Sequence, residues 1–234
     1  MAPALRLDEV VPWGRSLDEY VGMFDLGPAD LAGRILDCGG GPASFAAEAA
    51  AAGQRVVACD PIYQFTGPEI RRRVDEIAPI LIADMVEDAD SYVWDRFADA
   101  ADVGRHRLMA MQRFLDDFEV GRAAGRYVTA ALPSLPFADQ AFDLTLSSHL
   151  LFLYSTQLSR DFHVAAVVEL MRVAAEVRVF PLIDLEGDRS PHVAPVIEAV
   201  RGLGAAMEIV QVPYEFRRGA NEMLRIRRPT TAKP

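Results

Sequence analysis

Two kinds of hydrophobic pattern alternate along the chain. Short apolar runs that end at small or acidic residues are typical of buried strands, whereas longer stretches repeat their apolar residues at helical spacing. The first run, 33–38, leads into three glycines. An alanine-rich segment, 44–53, has high helix propensity, and a second apolar run, 54–60, ends at Asp60. This order predicts a strand, a glycine turn, a helix and a parallel strand, joined by a right-handed crossover.

The alternation is then interrupted and later resumes. Residues 68–118 carry apolar side chains at helical spacing over a stretch too long for one crossover helix, with Pro79 and Gly104 as expected interruptions. We therefore expect a helical lid inserted at 64–122. Alternating strands and helices predict one α/β domain, 1–234, with a mostly parallel sheet and helices on both faces. Beyond the lid the pattern predicts a C-terminal hairpin, preceded by strands and helices at 125–132, 141–149, 161–174, 176–183 and 192–204.

Composition narrows the class of protein. Of 234 residues, 51% are hydrophobic and 25% charged, which allows one sizeable core, and the net charge is −10. An acidic chain starts at a disadvantage in nucleic-acid binding, so a nucleic-acid partner is not expected. No apolar run approaches the ~20 residues of a membrane helix, and the N-terminus lacks the apolar core of a signal peptide. These features predict a cytoplasmic protein with no membrane partner and leave its oligomeric state open.

Cysteines and histidines give no metal-binding pattern. Cys38 and Cys59 are expected as reduced residues at strand ends, beside the ligand site. The four histidines show no metal-ligand spacing with one another or with a cysteine. We therefore expect no metal site.

The stretch ILDCGGGPASF carries the candidate chemistry. Gly39, Gly40 and Gly41 let the backbone turn with positive φ and approach a ligand closely, and a turn before a helix aims N–H groups at that ligand. Asp60 follows 19 residues after the last of these glycines, where a carboxylate can accept both hydroxyl hydrogens of an adenosine ribose. NAD and S-adenosylmethionine share that ribose. Asp37 favours the second, because a carboxylate inside the turn repels a pyrophosphate and suits a sulfonium or ammonium group.

These segments resemble the class I S-adenosylmethionine-dependent methyltransferases. The resemblance rests on ILDCGGGPASF, VVACDP and LPSLPFADQAFDLTLSSHLLFLY. They match the family's acid-x-Gly-x-Gly turn, the acid that ends its second strand, and the LPF-x-D-x-x-FD segment before its fourth strand. With the helical insertion, the resemblance implies a Rossmann-like class I methyltransferase fold, a mostly parallel seven-stranded sheet with a C-terminal antiparallel hairpin. It also implies S-adenosyl-L-methionine as cofactor and a small-molecule acceptor as partner.

The resemblance assigns a role to each part of the turn. Asp60, followed by Pro61, is expected to hold the ribose. The backbone of residues 39–41 is expected to hold the methionine portion, and Asp37 its cationic end, through hydrogen bonds or water.

The adenine contact departs from the family pattern. Members often have an acid for the adenine amino group where this chain has Ala131. We therefore expect adenine to be held by the backbone near Leu132 and Pro133, by the Ser134 hydroxyl, or less tightly.

The stretch SSHLLFLYS follows the predicted fourth strand, where the family lines its methyl-transfer site. Ser148 stands where base-methylating members have the Asn of an Asn-Pro-Pro-Tyr motif, which disfavours methylation of bases. His149 is the candidate general base because its unperturbed pKa lies near neutral pH, and the alternative is an orienting or buried histidine. Tyr154 is expected either to donate to the substrate or to cap the apolar run before it.

Residues 1–32 are expected to form an N-terminal helical cap segment. Class I enzymes often fold such a segment over the cofactor, so that Arg15 could pair with the methionine carboxylate and Tyr20 could cover it. The alternative is a surface helix with Tyr20 and Phe24 packed inward.

Together these features predict a methyltransferase that acts on a small molecule by direct in-line displacement. Three alternatives stay open. They are a non-catalytic or regulatory S-adenosylmethionine-binding protein on the same fold, an RNA or protein methyltransferase, and, with less support, an NAD-dependent oxidoreductase.

Overall fold

The computed structural model describes residues 13–228. Within these residues, seven strands form one sheet. The strands are β1 (Arg34–Cys38), β2 (Arg55–Cys59), β3 (Tyr127–Val128), β4 (Phe142–Ser148), β5 (Ala174–Phe180), β6 (Ala206–Gln211) and β7 (Glu222–Arg227). Their order across the sheet is β3-β2-β1-β4-β5-β7-β6. The first five are parallel, and β7 runs antiparallel to both β5 and β6. This arrangement confirms the predicted class I methyltransferase fold.

Helices cover both faces of the sheet. They are α1 (Leu17–Phe24), α2 (Pro28–Ala32), α3 (Phe45–Ala51), α4 (Gly67–Glu87), α5 (Ala100–Ala123), α6 (Arg160–Val173) and α7 (Val193–Gly202). Successive strand residues point to opposite faces, so Ile35 packs with α1, α3 and α5, whereas Leu36 packs with α6 and α7. Within the described residues, no helix is both long and apolar enough to cross a membrane. The first twelve residues of the predicted 1–32 segment lie outside the described part of the chain.

The two long helices between β2 and β3 are less interrupted than the sequence predicted. Helix α4 continues through Pro79 and α5 through Gly104, and the break between them lies at 88–99. A proline inside a helix costs roughly 3 kcal/mol, but Ile77 and its neighbours on α4 are buried and offset that cost. A Cβ at position 104 would clash with Ile82, so Gly104 lets α4 and α5 pack closely.

One predicted strand is shorter than expected, and prolines follow both it and strand β6. The predicted strand 125–132 contributes only Tyr127–Val128 to the sheet. The chain then turns, with a bridge between Ala131 and Ser134 that spans Pro133. Strand β6 ends at Gln211, two residues before Pro213. Because proline has no N–H to donate, it does not continue a ladder of backbone hydrogen bonds.

Arg178 of β5 ties the N-terminal helices to the sheet. Its guanidinium is 2% exposed, pairs with Asp30 at 2.7 Å and donates to the Phe24 carbonyl at the end of α1, at 2.8 Å. Because Arg178→Met leaves Asp30 and the Phe24 carbonyl without this cation, we expect the free energy of unfolding in urea to fall by about 3 kcal/mol. The control Arg105→Met removes an exposed pair with Asp102 and should cost less than about 1 kcal/mol. Equal losses would contradict this account.

Candidate functional site

A cavity of about 550 Å³ lies beyond the carboxyl ends of β1, β2 and β4. This is the edge at which open α/β sheets bind ligands. The N-terminal segment, the glycine turn, the loop after β4, helix α4 and the connection between β6 and β7 supply its walls. The predicted site residues that line it are Arg15, Tyr20, Gly39, Gly40, Gly41, Asp60, Pro61, Leu132, Ser148, His149 and Tyr154.

Two predicted residues lie elsewhere. Asp37 is buried beneath the glycine turn and does not line the cavity. Ser134 is exposed, because the short β3 ends early and the chain turns away at Ala131. A hydroxyl of Ser134 therefore does not face the cavity.

Hydrogen bonds hold the glycine turn against the end of β2. The Gly39 N–H donates to the Cys59 carbonyl at 2.8 Å, and the Gly41 N–H donates to Asp60 Oδ2 at 3.0 Å. Both glycines have positive φ, 77° and 52°, which glycine adopts at little cost. The Tyr63 hydroxyl donates to the Gly41 carbonyl at 2.8 Å. The turn and the carboxylate that follows β2 therefore form one fixed unit.

Asp37 supports this unit from below. It is 1% exposed, and both its oxygens lie 3.1 Å from the Tyr20 hydroxyl, which donates to them. A Cβ at position 40 would lie 2.5 Å from Asp37 Oδ2, so Gly40 is required above the carboxylate. Burial raises the pKa of Asp37 to about 7, the Tyr20 hydrogen bond opposes that rise, and the nearby Asp60 adds to it. Asp37 thus orients Tyr20, which lines the cavity, and underlies the turn.

Asp60 presents its carboxylate to the cavity in one orientation. Its Oδ1 accepts from the Ile62 N–H at 2.8 Å while Oδ2 accepts from Gly41. Burial raises its pKa to about 6, and the two N–H bonds limit that rise. Each carboxylate oxygen has a second lone-pair direction, so Asp60 can still accept from two ligand hydroxyls.

The N-terminal segment brings a guanidinium to the cavity. A Cβ at position 14 would clash with the Pro42 carbonyl, so Gly14 lets this segment lie directly on the glycine turn. The Arg15 carbonyl accepts from the Ser44 N–H at 3.0 Å. Its side chain donates from Nη1 to the Trp13 carbonyl at 3.2 Å, and Nε has no partner among residues 13–228. Burial, followed by the charge of Arg107, lowers the pKa of Arg15.

The loop after β4 carries the candidate base. His149 has a positive φ of 52°, and its N–H donates to the Phe180 carbonyl at 2.7 Å. Its Nδ1 lies 2.9 Å from Ser148 Oγ. Burial, followed by the charges of Arg15 and Arg107, lowers the pKa of His149 well below its usual range. The imidazole is therefore neutral at pH 7, but the same shift makes it a weaker proton acceptor, and its use as a base stays a prediction.

Sequence reasoning did not name five further residues that line the cavity. They are Leu81 and Met85 of α4, and Tyr214, Phe216 and Arg217 of the β6–β7 connection. The apolar spacing on α4 was visible in the sequence. The β6–β7 residues belong to the predicted terminal hairpin, and nothing in the sequence of that segment indicated a ligand site. No group of three or more His, Cys, Asp or Glu side chains within residues 13–228 is arranged to hold a metal ion.

Comparison with known proteins gives one relative and several distant structures. No family model matches the sequence. Over 227 residues the chain is 30% identical to MJ0045 of Methanocaldococcus jannaschii, a protein described as uncharacterized, and the match covers 96% of this chain and 99% of that protein.

The structural comparison finds methyltransferases at low similarity. Magnesium protoporphyrin IX methyltransferase from Synechocystis PCC 6803 with bound SAM gives a TM-score of 0.47 at 13% identity, covering 91% of this chain and 78% of that chain. A SAM-dependent methyltransferase from Thermotoga maritima gives 0.46 at 13% identity, covering 91% of this chain and 89% of that chain. Likeness at this level indicates no substrate. The chain belongs to the family of the archaeal protein MJ0045, and the order and direction of its strands give it the Rossmann-like fold of class I S-adenosylmethionine-dependent methyltransferases.

Proposed function

We propose that the protein is a methyltransferase that uses S-adenosyl-L-methionine to methylate a small-molecule acceptor. One observation carries the proposal: a single cavity presents groups that complement both ends of this cofactor. The Asp60 carboxylate is suited to the ribose hydroxyls. The Arg15 guanidinium, whose Nε has no partner among residues 13–228, is suited to the methionine carboxylate.

The remaining walls suit the rest of the cofactor. Leu132 and Ile62 line the cavity near Asp60 and offer apolar surface for adenine, without the acid that the family often places there. Tyr20 lines the cavity, in which the methionine portion would lie, and its hydroxyl is held by Asp37. Its ring packs inward, stacked on Phe45 at 4.3 Å. The buried carboxylate below the turn disfavours a pyrophosphate at this position.

The proposed chemistry needs positioning more than covalent participation by the protein. When bound, S-adenosylmethionine supplies an electrophilic methyl group on a sulfonium. Apolar side chains that line the cavity, such as Leu81, Met85 and Phe216, would exclude water from the reacting groups. A dry site favours a reaction in which charge is lost from sulfur. Holding the acceptor in line with the methyl group supplies much of the acceleration. If the acceptor arrives protonated, the neutral His149 imidazole would take up its proton.

Three predictions follow from the proposed function, and the first concerns the class of cofactor. Calorimetric titration should show micromolar binding of S-adenosylhomocysteine and no binding of NAD. Asp60→Ala should weaken the binding of S-adenosylhomocysteine at least tenfold, because two hydrogen bonds to a charged acceptor are lost. Asp75→Ala, at an exposed carboxylate on α4, is the matched control and should bind like the unmodified protein. Binding of NAD alone would overturn the proposal.

A second prediction concerns pH. Methylthioadenosine carries the adenosine but no amino-acid portion, so its affinity should report on Asp60. Ribose hydroxyls donate to the ionised carboxylate, whose pKa is about 6 in the free protein. The affinity should therefore be constant well above that pH and fall by roughly tenfold for each pH unit well below it. Asp60→Asn, which does not titrate, should bind weakly and with a flat profile. If the affinity of the unmodified protein for methylthioadenosine did not change with pH, the assignment of Asp60 to the ribose would be contradicted.

A third prediction separates the two ends of the cofactor. Arg15→Met should weaken the binding of S-adenosylhomocysteine by about tenfold or more, because a charge-assisted hydrogen bond to the carboxylate of this ligand is lost. Methylthioadenosine has no carboxylate and should bind Arg15→Met unchanged. The control Arg113→Met alters an exposed guanidinium that pairs with Glu48 and should affect neither ligand. Equal loss for both ligands would show that Arg15 does not meet the carboxylate.

A further inference from the structure

Three distant segments meet in a buried polar cluster beside the cavity. Arg107 of α5 is fully buried and forms an ion pair with Glu19 of α1. Tyr214, from the β6–β7 connection, donates its hydroxyl to Glu19 Oε1 at 2.9 Å and lies 3.4 Å from an Arg107 nitrogen. Tyr214 also lines the cavity, so the cluster forms part of its wall.

Among residues 13–228, the cluster leaves one positive charge without a carboxylate partner. Glu19 Oε2 is taken by Arg107 and by the Ser16 N–H at 3.1 Å, and Oε1 is taken by Tyr214. Burial alone would raise the pKa of Glu19, but the charge and hydrogen bond of Arg107 lower it to about 2. Arg15 is close enough for its charge to act on Glu19, yet its side-chain hydrogen bond goes to Trp13 instead. Glu19 therefore pairs with only one of the two guanidiniums, and the other, that of Arg15, belongs to a residue that lines the cavity.

We propose that Arg107 is a positioning residue for the cofactor: by occupying Glu19 it keeps the Arg15 guanidinium free to receive a carboxylate. The inference rests on the proposed function, because the carboxylate is that of the methionine portion. Arg107 does not line the cavity, so its effect on a ligand must pass through neighbouring residues. The route proposed is through Glu19 and Arg15; the other neighbour that lines the cavity is Tyr214. Since Arg107 belongs to α5, the inserted helices then influence how the donor is held.

Without Arg107, we expect the Arg15 guanidinium to pair with Glu19. A buried carboxylate left without a cation is strongly unfavourable, so Glu19 would recruit the other cation that acts on it. That cation is Arg15, four positions earlier in the chain, on a long and flexible side chain. Once paired with Glu19, the Arg15 guanidinium would no longer be available to a ligand.

The test compares two ligands across three variants. For each protein, calorimetry gives the ratio of affinities for S-adenosylhomocysteine and methylthioadenosine, which differ by the amino-acid portion. In Arg107→Met this ratio should fall at least tenfold, to the level of Arg15→Met. In the double variant Glu19→Gln with Arg107→Met it should return to that of the unmodified protein, because no carboxylate remains to capture Arg15. Arg107→Lys, which keeps a cation on Glu19, should retain the ratio.

Each outcome is decisive. An unchanged ratio in Arg107→Met, or a ratio in the double variant as low as that of Arg15→Met, would overturn the inference and leave the proposed function intact. Absence of S-adenosylhomocysteine binding by the unmodified protein would overturn both. A purely structural role for Arg107 predicts equal losses for the two ligands and no recovery in the double variant. If Arg107→Met does not fold, Arg107→Gln, which keeps a hydrogen-bond donor for Glu19 but not the charge, takes its place with the same expected fall in the ratio.

Discussion

The candidate site depends on one backbone arrangement, in which the turn after β1 is hydrogen-bonded to the end of β2. Strands β1 and β2 pair so that Cys38 lies opposite Cys59, and the next residues form the turn and the acid. Because strand side chains alternate between faces, a slip of β2 by one residue would turn its side chains to the opposite faces of the sheet and carry Asp60 away from Gly41. The pairing that builds the core is therefore the same pairing that assembles the site.

Around this arrangement the protein keeps several ionisable groups out of water. The pKa of Asp60, which has no ion-pair partner in the described part of the chain, is raised to about 6, whereas that of the paired Glu19 is lowered to about 2. Burial likewise lowers the pKa of Arg15. Groups whose charged forms are disfavoured in this way gain most from a ligand that supplies the missing partner. The proposed cofactor offers hydroxyls to Asp60 and a carboxylate to Arg15, which fits this distribution.

Features set by neighbouring residues could be predicted from the sequence. The strand, turn, helix and strand around residues 33–60 follow from local pattern and glycine chemistry, and the sheet order confirmed the fold. Features set by contacts between distant segments could not. Glu19 contacts Arg107, 88 residues away in the sequence, and Tyr214, 195 residues away, and no sequence spacing predicts these contacts. The continuation of α4 through Pro79 likewise depends on packing, which outweighs the local preference of the residue.

The most direct test of the account is a crystal structure of the protein grown with S-adenosylhomocysteine. We expect the ligand in the cavity beyond β1, β2 and β4, with its ribose hydroxyls donating to the Asp60 carboxylate and its carboxylate accepting from the Arg15 guanidinium. Arg107 should remain paired with Glu19. A ligand bound elsewhere, or one whose carboxylate points away from Arg15 while its ribose does not reach Asp60, would contradict the central claim.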